Sequence, residues 1–205
     1  MPPNSDSNAE SNALLRAGAA RHTAGDLAGA EQFYRQVLQR RPQDANAHNL
    51  LGVLARQRGD QAAALHHIEQ ALAQQPQAPV FLANLGAALA ESGRLSEAVR
   101  ALRAALAQRP EDAISLRNLG QALCTLGDPV AALAPLDAAI RLLPDVPEPR
   151  LALAYARRDA GDADGAAQAA QAALARAARQ PELAEQVRFL LASLGHGAPP
   201  DRAPW

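Results

Sequence analysis

A spacing of 34 residues constrains this chain more than any other feature. Glycine stands at Gly18, Gly52, Gly86 and Gly120, with Ala154 one interval further on. Gly25, Gly59, Gly93, Gly127 and Gly161 form a second series at the same interval. Ala30, Ala64, Ala98, Ala132 and Ala166 form a third, and Pro42, Pro76, Pro110 and Pro144 a fourth that lapses at Ala178. Four series in one phase mean that one structural unit is copied along the chain. Units this short cannot bury an apolar face alone, so they must stack.

Each unit reads as two helices. In the third, Phe81, Leu82, Leu85 and Leu89 fall at helical spacing. The segment "ESGR" then stops the helix, and Gly93 suits the left-handed position just past a helix end. A second amphipathic run follows through Leu95, Val99, Leu102 and Leu106, until Pro110 forbids continuation. Small residues such as Gly86 and Ala98 allow two antiparallel axes to approach at the short end of about 8–10 Å. Aromatic residues are only 3% of the chain, so its core must be built from small aliphatic side chains. Five units are expected, 11–44, 45–78, 79–112, 113–146 and 147–180.

The pattern resembles the tetratricopeptide repeat family, with its small residues in both helices and its proline after the second. A further small-residue series of that family is matched by Val37, Ala71, Ala105, Ala139 and Ala173. The resemblance covers Ser11 to Gln180 and implies an all-α, right-handed solenoid of antiparallel helix pairs. The chain departs from the family where an aromatic is frequent in the first helix. Leu14, His48, Leu82, Leu116 and Arg150 stand there. The fifth unit departs furthest, through Arg150, Ala154 and Ala178. Pro181–Gly195 reads as a closing helix with Val187, Leu190, Leu191 and Leu194 on one stripe, expected to pack near Leu174. Residues 1–10 are expected as a disordered polar tail, and 196–205 as a proline-rich tail or linker.

Charge and motifs exclude several functions. The 20 basic residues are all arginine and meet 21 acidic ones, leaving a net charge of −1. No basic surplus attracts nucleic acid or anionic lipid. Without lysine there is no Walker phosphate loop and no Schiff-base lysine. No apolar run approaches the roughly 18 residues of a membrane span. There is no HExxH, GxSxG or GxGxxG. His66 and His67 are adjacent on one helix and diverge, so no metal site is read there. Cys124 lacks a nearby histidine in its own unit and reads as a space filler. No enzyme activity and no cofactor are expected, and a cytoplasmic monomer fits.

Binding is what remains. In the tetratricopeptide family one stripe of each first helix lines a concave surface. Carried over, the groove candidates are Asn12, Arg16, Asn49, Val53, Arg56, Asn84, Arg117, Asn118, Gln121 and Tyr155. A carboxamide offers one acceptor and two N–H donors, so Asn49, Asn84 and Asn118 suit a peptide backbone. Asn84 and Asn118 are similar to rungs of the asparagine ladder in O-linked N-acetylglucosamine transferases. The carboxylate clamp of chaperone adaptors is not matched: Arg117 with Gln121 is an echo, but Glu182 and Gln186 occupy the later positions. The resemblance implies a protein-interaction module holding a peptide or partner helix along repeats two to four. The alternative is the N-terminal repeat region of a bacterial multidomain enzyme, such as a glycosyltransferase, sulfotransferase or methyltransferase.

Overall fold

A computed structural model describes residues 5–195. Among the described residues there are eleven helices and no strand: α1 (Ser5–Thr23), α2 (Leu27–Arg40), α3 (Ala45–Gln57), α4 (Gln61–Gln74), α5 (Pro79–Glu91), α6 (Leu95–Gln108), α7 (Ala113–Leu126), α8 (Pro129–Leu142), α9 (Glu148–Asp159), α10 (Ala163–Leu174) and α11 (Pro181–Ser193). The architecture is an all-α solenoid of antiparallel helix pairs. One expectation needs correction. Helix α1 already begins at Ser5, so residues 5–10 are helical rather than part of a tail; "ESNALL" continues "SDSNA" with no helix breaker between them. The expected linker at 196–205 lies outside the described residues, as do residues 1–4.

The turns explain the glycine series. Gly127 has φ 89° in the left-handed region, as do its counterparts in the other repeats, where a side chain would be strained. The next residue, Asp26, Asp60, Asp128 or Asp162, caps the second helix by accepting an N–H from Gly29, Ala63, Ala131 or Gly165 at 2.8–3.1 Å. Glycine thus marks every reversal, and in four of the five repeats an aspartate after it caps the next helix. Gly195, with φ 79°, extends the series by one more interval. Helix α11 therefore stands in register with the first helix of a further unit.

The chain divides into two compact units at Arg94–Leu95. In the first unit, α1 packs on α2, α3 on α4, and α5 on both α4 and α3. Its core is made of small clusters around Tyr34 with Leu54, Ile68 with Ala88, and Ala71 with Phe81. The second unit has one continuous cluster. It runs from Val99 and Leu102 through Leu119, Leu136 and Leu153 to Val187, Leu190 and Leu191, with Leu174 and Leu194 against it. Helix α11 covers α10 there.

The other glycine series is steric. A Cβ on Gly18 would lie 2.8 Å from Tyr34 Cδ1, one on Gly52 2.5 Å from Ile68 Cγ1, and one on Gly120 2.6 Å from Leu136 Cδ2. Each glycine thus makes room for one large, fully buried partner on the second helix. Ala154 stands at the same interval from Ala170, and both are fully buried. The fifth repeat therefore exchanges a small–large pair for two small residues, neither of which needs clearance from the other. Arg150, the other departure, is buried but not an orphan: its Nη1 donates to Val146 O at 3.1 Å. Burial and then the like charge of Arg176 hold its pKa below the usual guanidinium value, with Asp145 opposing.

Candidate functional site

In the first unit, α1, α3 and α5 lie side by side and present one stripe each. Between them is an open cavity of about 490 Å³. Leu15, Leu50, Val80 and Phe81 give it apolar walls, and Asn46, Asn49 and Gln75 give it amides. Arg16 is the one charged residue that lines it. Arg16 is exposed and has no ion-pair partner among the described residues. Val80 is 45% exposed, a large share for a valine, and it opens into the same space.

The expected asparagines are arranged differently from a row of free amides. Asn49 is buried, and its Oδ1 accepts a hydrogen bond from Asn84 Nδ2 at 2.8 Å. The pair commits one acceptor and one donor to each other. One further N–H and the carbonyl of half-buried Asn84 remain. Asn118 is also engaged, as Arg117 Nε and Nη2 reach its Oδ1 at 3.4 and 3.3 Å on the same helix. Asn84 and Asn118 are thus half-buried and partnered rather than turned freely to solvent.

Links between neighbouring first helices recur at an interval of 35 residues. Asn49 meets Asn84, His22 Nε2 meets Gln57 Oε1 at 2.7 Å, and Arg56 Nη1 donates to Glu91 Oε1 at 2.5 Å. Gln61 Nε2 donates to the other oxygen of Glu91 at 3.2 Å. Arg56 is thus neutralised in place, while Arg16 is not. Asn12 is exposed and Val53 half-buried on the same stripe. The structure therefore brings Arg16 and Asn49 together at the cavity, with Asn84 bonded to Asn49. Gln75, Ala78 and Phe81 line the cavity without having been singled out by sequence. The turn before α5 supplies the first two, and only the lie of that turn against α1 and α3 reveals them.

In the second unit, α7 and α9 carry Arg117, Asn118, Gln121 and Tyr155. Gln121 is exposed, and Tyr155 is half-buried under the Arg158 guanidinium, 5.0 Å from its ring centre. Arg158 also holds Asp159 at 2.8 Å. Burial first, and then the charge of Asp159, push the Cys124 thiol pKa up, the direction opposite to that of an activated nucleophile. Among the described residues no group of three or more His, Cys, Asp or Glu side chains is placed to hold a metal ion. No helix there is long and apolar enough to cross a membrane.

A family model described as tetratricopeptide repeat matches residues 15–79 and 83–147. No curated protein matches the sequence. Among solved structures, PilW, a type IV pilus biogenesis factor, superposes with a TM-score of 0.82 at 20% identity, over 91% of this chain and 86% of that one. A thermophilic TPR protein of Thermus thermophilus gives a TM-score of 0.69 at 25% identity, over 89% and 99%. A mutant O-GlcNAc transferase of Thermobaculum terrenum gives 0.63 at 30% identity, over 67% of this chain and 27% of that one.

Proposed function

Because the chain belongs to the tetratricopeptide repeat family, a fold of protein-interaction modules, we propose that it binds a peptide on its first-helix face without catalysis. The observation that carries the reading is the cavity between α1, α3 and α5, apolar in its walls and charged only at Arg16. Its occupant is a peptide with a large apolar side chain against Leu15, Leu50 and Val80 and a carboxylate toward Arg16. Asn46, Asn49 and Asn84 then meet the peptide backbone through the amide groups left after Asn49 and Asn84 have paired. Arg117, Asn118, Gln121 and Tyr155 form a corresponding face on the second unit. A cytoplasmic monomer belongs to the same proposal, in keeping with the near-neutral charge and single cysteine.

A random peptide library selected on the whole chain tests this. Selected peptides should carry an apolar residue and an acidic one. A charge-assisted hydrogen bond is worth about 1.5–3 kcal/mol, so Arg16→Ala should weaken such a peptide by roughly 10- to 150-fold in calorimetry. Val80→Glu should weaken it too. Affinities unchanged in both variants would move the site elsewhere. The likeness to an O-GlcNAc transferase of which 27% is covered favours a second reading, a repeat region that presents substrate to an attached catalytic domain. A reading frame continuing past Trp205 into such a domain would support it.

A further inference from the structure

Repeat two differs from the others inside its own helix pair. His48 on α3 and His67 on α4 occupy positions that in the first repeat are Leu14 and Phe33. Their Nδ1 atoms are 3.0 Å apart. The ring centres are 5.3 Å apart, longer than the nitrogen separation by about one ring diameter, so the rings point at each other end to end. A chelated metal ion would need the two lone pairs to converge off that line. A single hydrogen bond along it fits instead.

The protons can be assigned. His48 Nε2 lies 3.0 Å from Pro42 O. A carbonyl only accepts, so Nε2 carries the hydrogen and Nδ1 of neutral His48 is bare. His67 Nδ1–H must then be the donor between the rings. A first added proton goes to His67 Nε2 and leaves this bond intact. A second must go to His48 Nδ1, which sets N–H against N–H and breaks it. We propose that the His48–His67 pair is an acid-released latch between α3 and α4, set beside the residues Asn46 and Asn49 that line the cavity.

The charges around the pair do not offset a second proton. Helix α2 offers Glu31 and Arg35, the α3–α4 turn Arg58 and Asp60, helix α4 His66, and the turn before α3 Arg41 and Asp44. Each carboxylate is already engaged. Glu31 is held by Arg35 and Arg58, Asp44 by Arg41 and the Ala47 N–H, and Asp60 by the Ala63 N–H. Burial foremost, then His48, His66 and Arg35, hold His67 below the ordinary 6.5, with Glu31 opposing. A depressed histidine takes up its proton in the unfolded chain first. The stability it lends is therefore complete above about pH 6.5 and drains away as pH falls through the lower folded value.

Histidine ring nitrogens of the whole chain, followed by NMR from pH 8 to 4.5, test the latch. At the alkaline end His48 should show the Nε2–H tautomer. On acidification the Nδ1–H···Nδ1 bond should survive the first protonation, at His67 Nε2, and break with the second, and the side-chain amides of Asn46 and Asn49 should shift in that second step. The melting temperature of wild type should fall by several degrees between pH 7 and 5. It should stay level in His48→Leu with His67→Phe, which restores the pairing of the first repeat. Should that variant fold poorly, His67→Gln donates to neutral His48 through its N–H and can turn its carbonyl to accept once His48 is protonated, so it should also stay level. Asparagine amides that stay silent through both protonations would overturn the proposal. So would the same acid-induced fall in wild type and His67→Gln.

Discussion

Adding one methyl group to Gly120 tests how the helix pairs are held. A Cβ there would lie 2.6 Å from Leu136 Cδ2 and 3.2 Å from Cδ1, where ordinary contact is 3.4–4 Å. Leu136 is fully buried in the unit-two core, so it has no free space to turn into. Overpacking of this kind costs about 1–3 kcal/mol, against a helix-propensity gain of about 0.8–1 kcal/mol for alanine over glycine. Gly120→Ala should therefore be destabilising, by up to about 2 kcal/mol on the same arithmetic. Leu136→Ala alone should cost about 2–5 kcal/mol through the cavity it leaves. Together the two changes recreate the Ala154–Ala170 pairing of the fifth repeat. The new methyl then fills part of the void without a clash. The double variant should fall short of the summed losses by about 1–3 kcal/mol, as touching residues do. Urea unfolding followed by circular dichroism reads this. With a slope of about 1–3 kcal/mol per molar, a 1 kcal/mol difference moves the midpoint by about 0.3–1 M. Losses additive within about 0.5 kcal/mol, or a Gly120→Ala chain more stable than wild type, would refute the steric account.

Asn84→Ala removes the donor to buried Asn49 Oδ1, and an abandoned buried polar group costs about 1–3 kcal/mol. It should therefore lower the urea midpoint as well as any groove affinity; Asn118→Ala should leave the midpoint almost unchanged, since Arg117 approaches it only at 3.3–3.4 Å. Ending the chain at residue 180 uncovers the surface under Val187, Leu190 and Leu191, each worth roughly 1.5–3 kcal/mol when buried, and an unchanged melting temperature would remove α11 from the core. The hydrogen bond from Arg58 foremost, then the charges of Arg35 and Arg58, hold the Glu31 pKa below its usual 4.5 while burial opposes them. That stabilisation is present above about pH 4.5 and is lost as pH falls through the lower folded value. The melting-temperature deficit of Glu31→Gln at pH 7 should therefore shrink toward pH 3, and a constant deficit would count against the ion pair.

The repeating unit and its two helices follow from residue order alone. Helix faces, the glycine reversals and the need for small residues at a crossing are local or strictly periodic, because a helix fixes side-chain direction every 3.6 residues. The spacing of Arg16, Asn49, Val53 and Arg56 along their first helices is periodic for the same reason. Which residue on one helix meets which on the next is a matter of packing. That depends on the axial stagger of neighbouring helices, which is set by how both surfaces interlock. The stagger couples residues at 35 rather than 34, ties Asn49 to Asn84 and Arg56 to Glu91, and places Arg16 at the cavity with no ion-pair partner among the described residues. The same packing matched Ala154 with Ala170. It also set His48 end to end with His67, a contact between two helices that the divergence of His66 and His67 on one helix could not suggest.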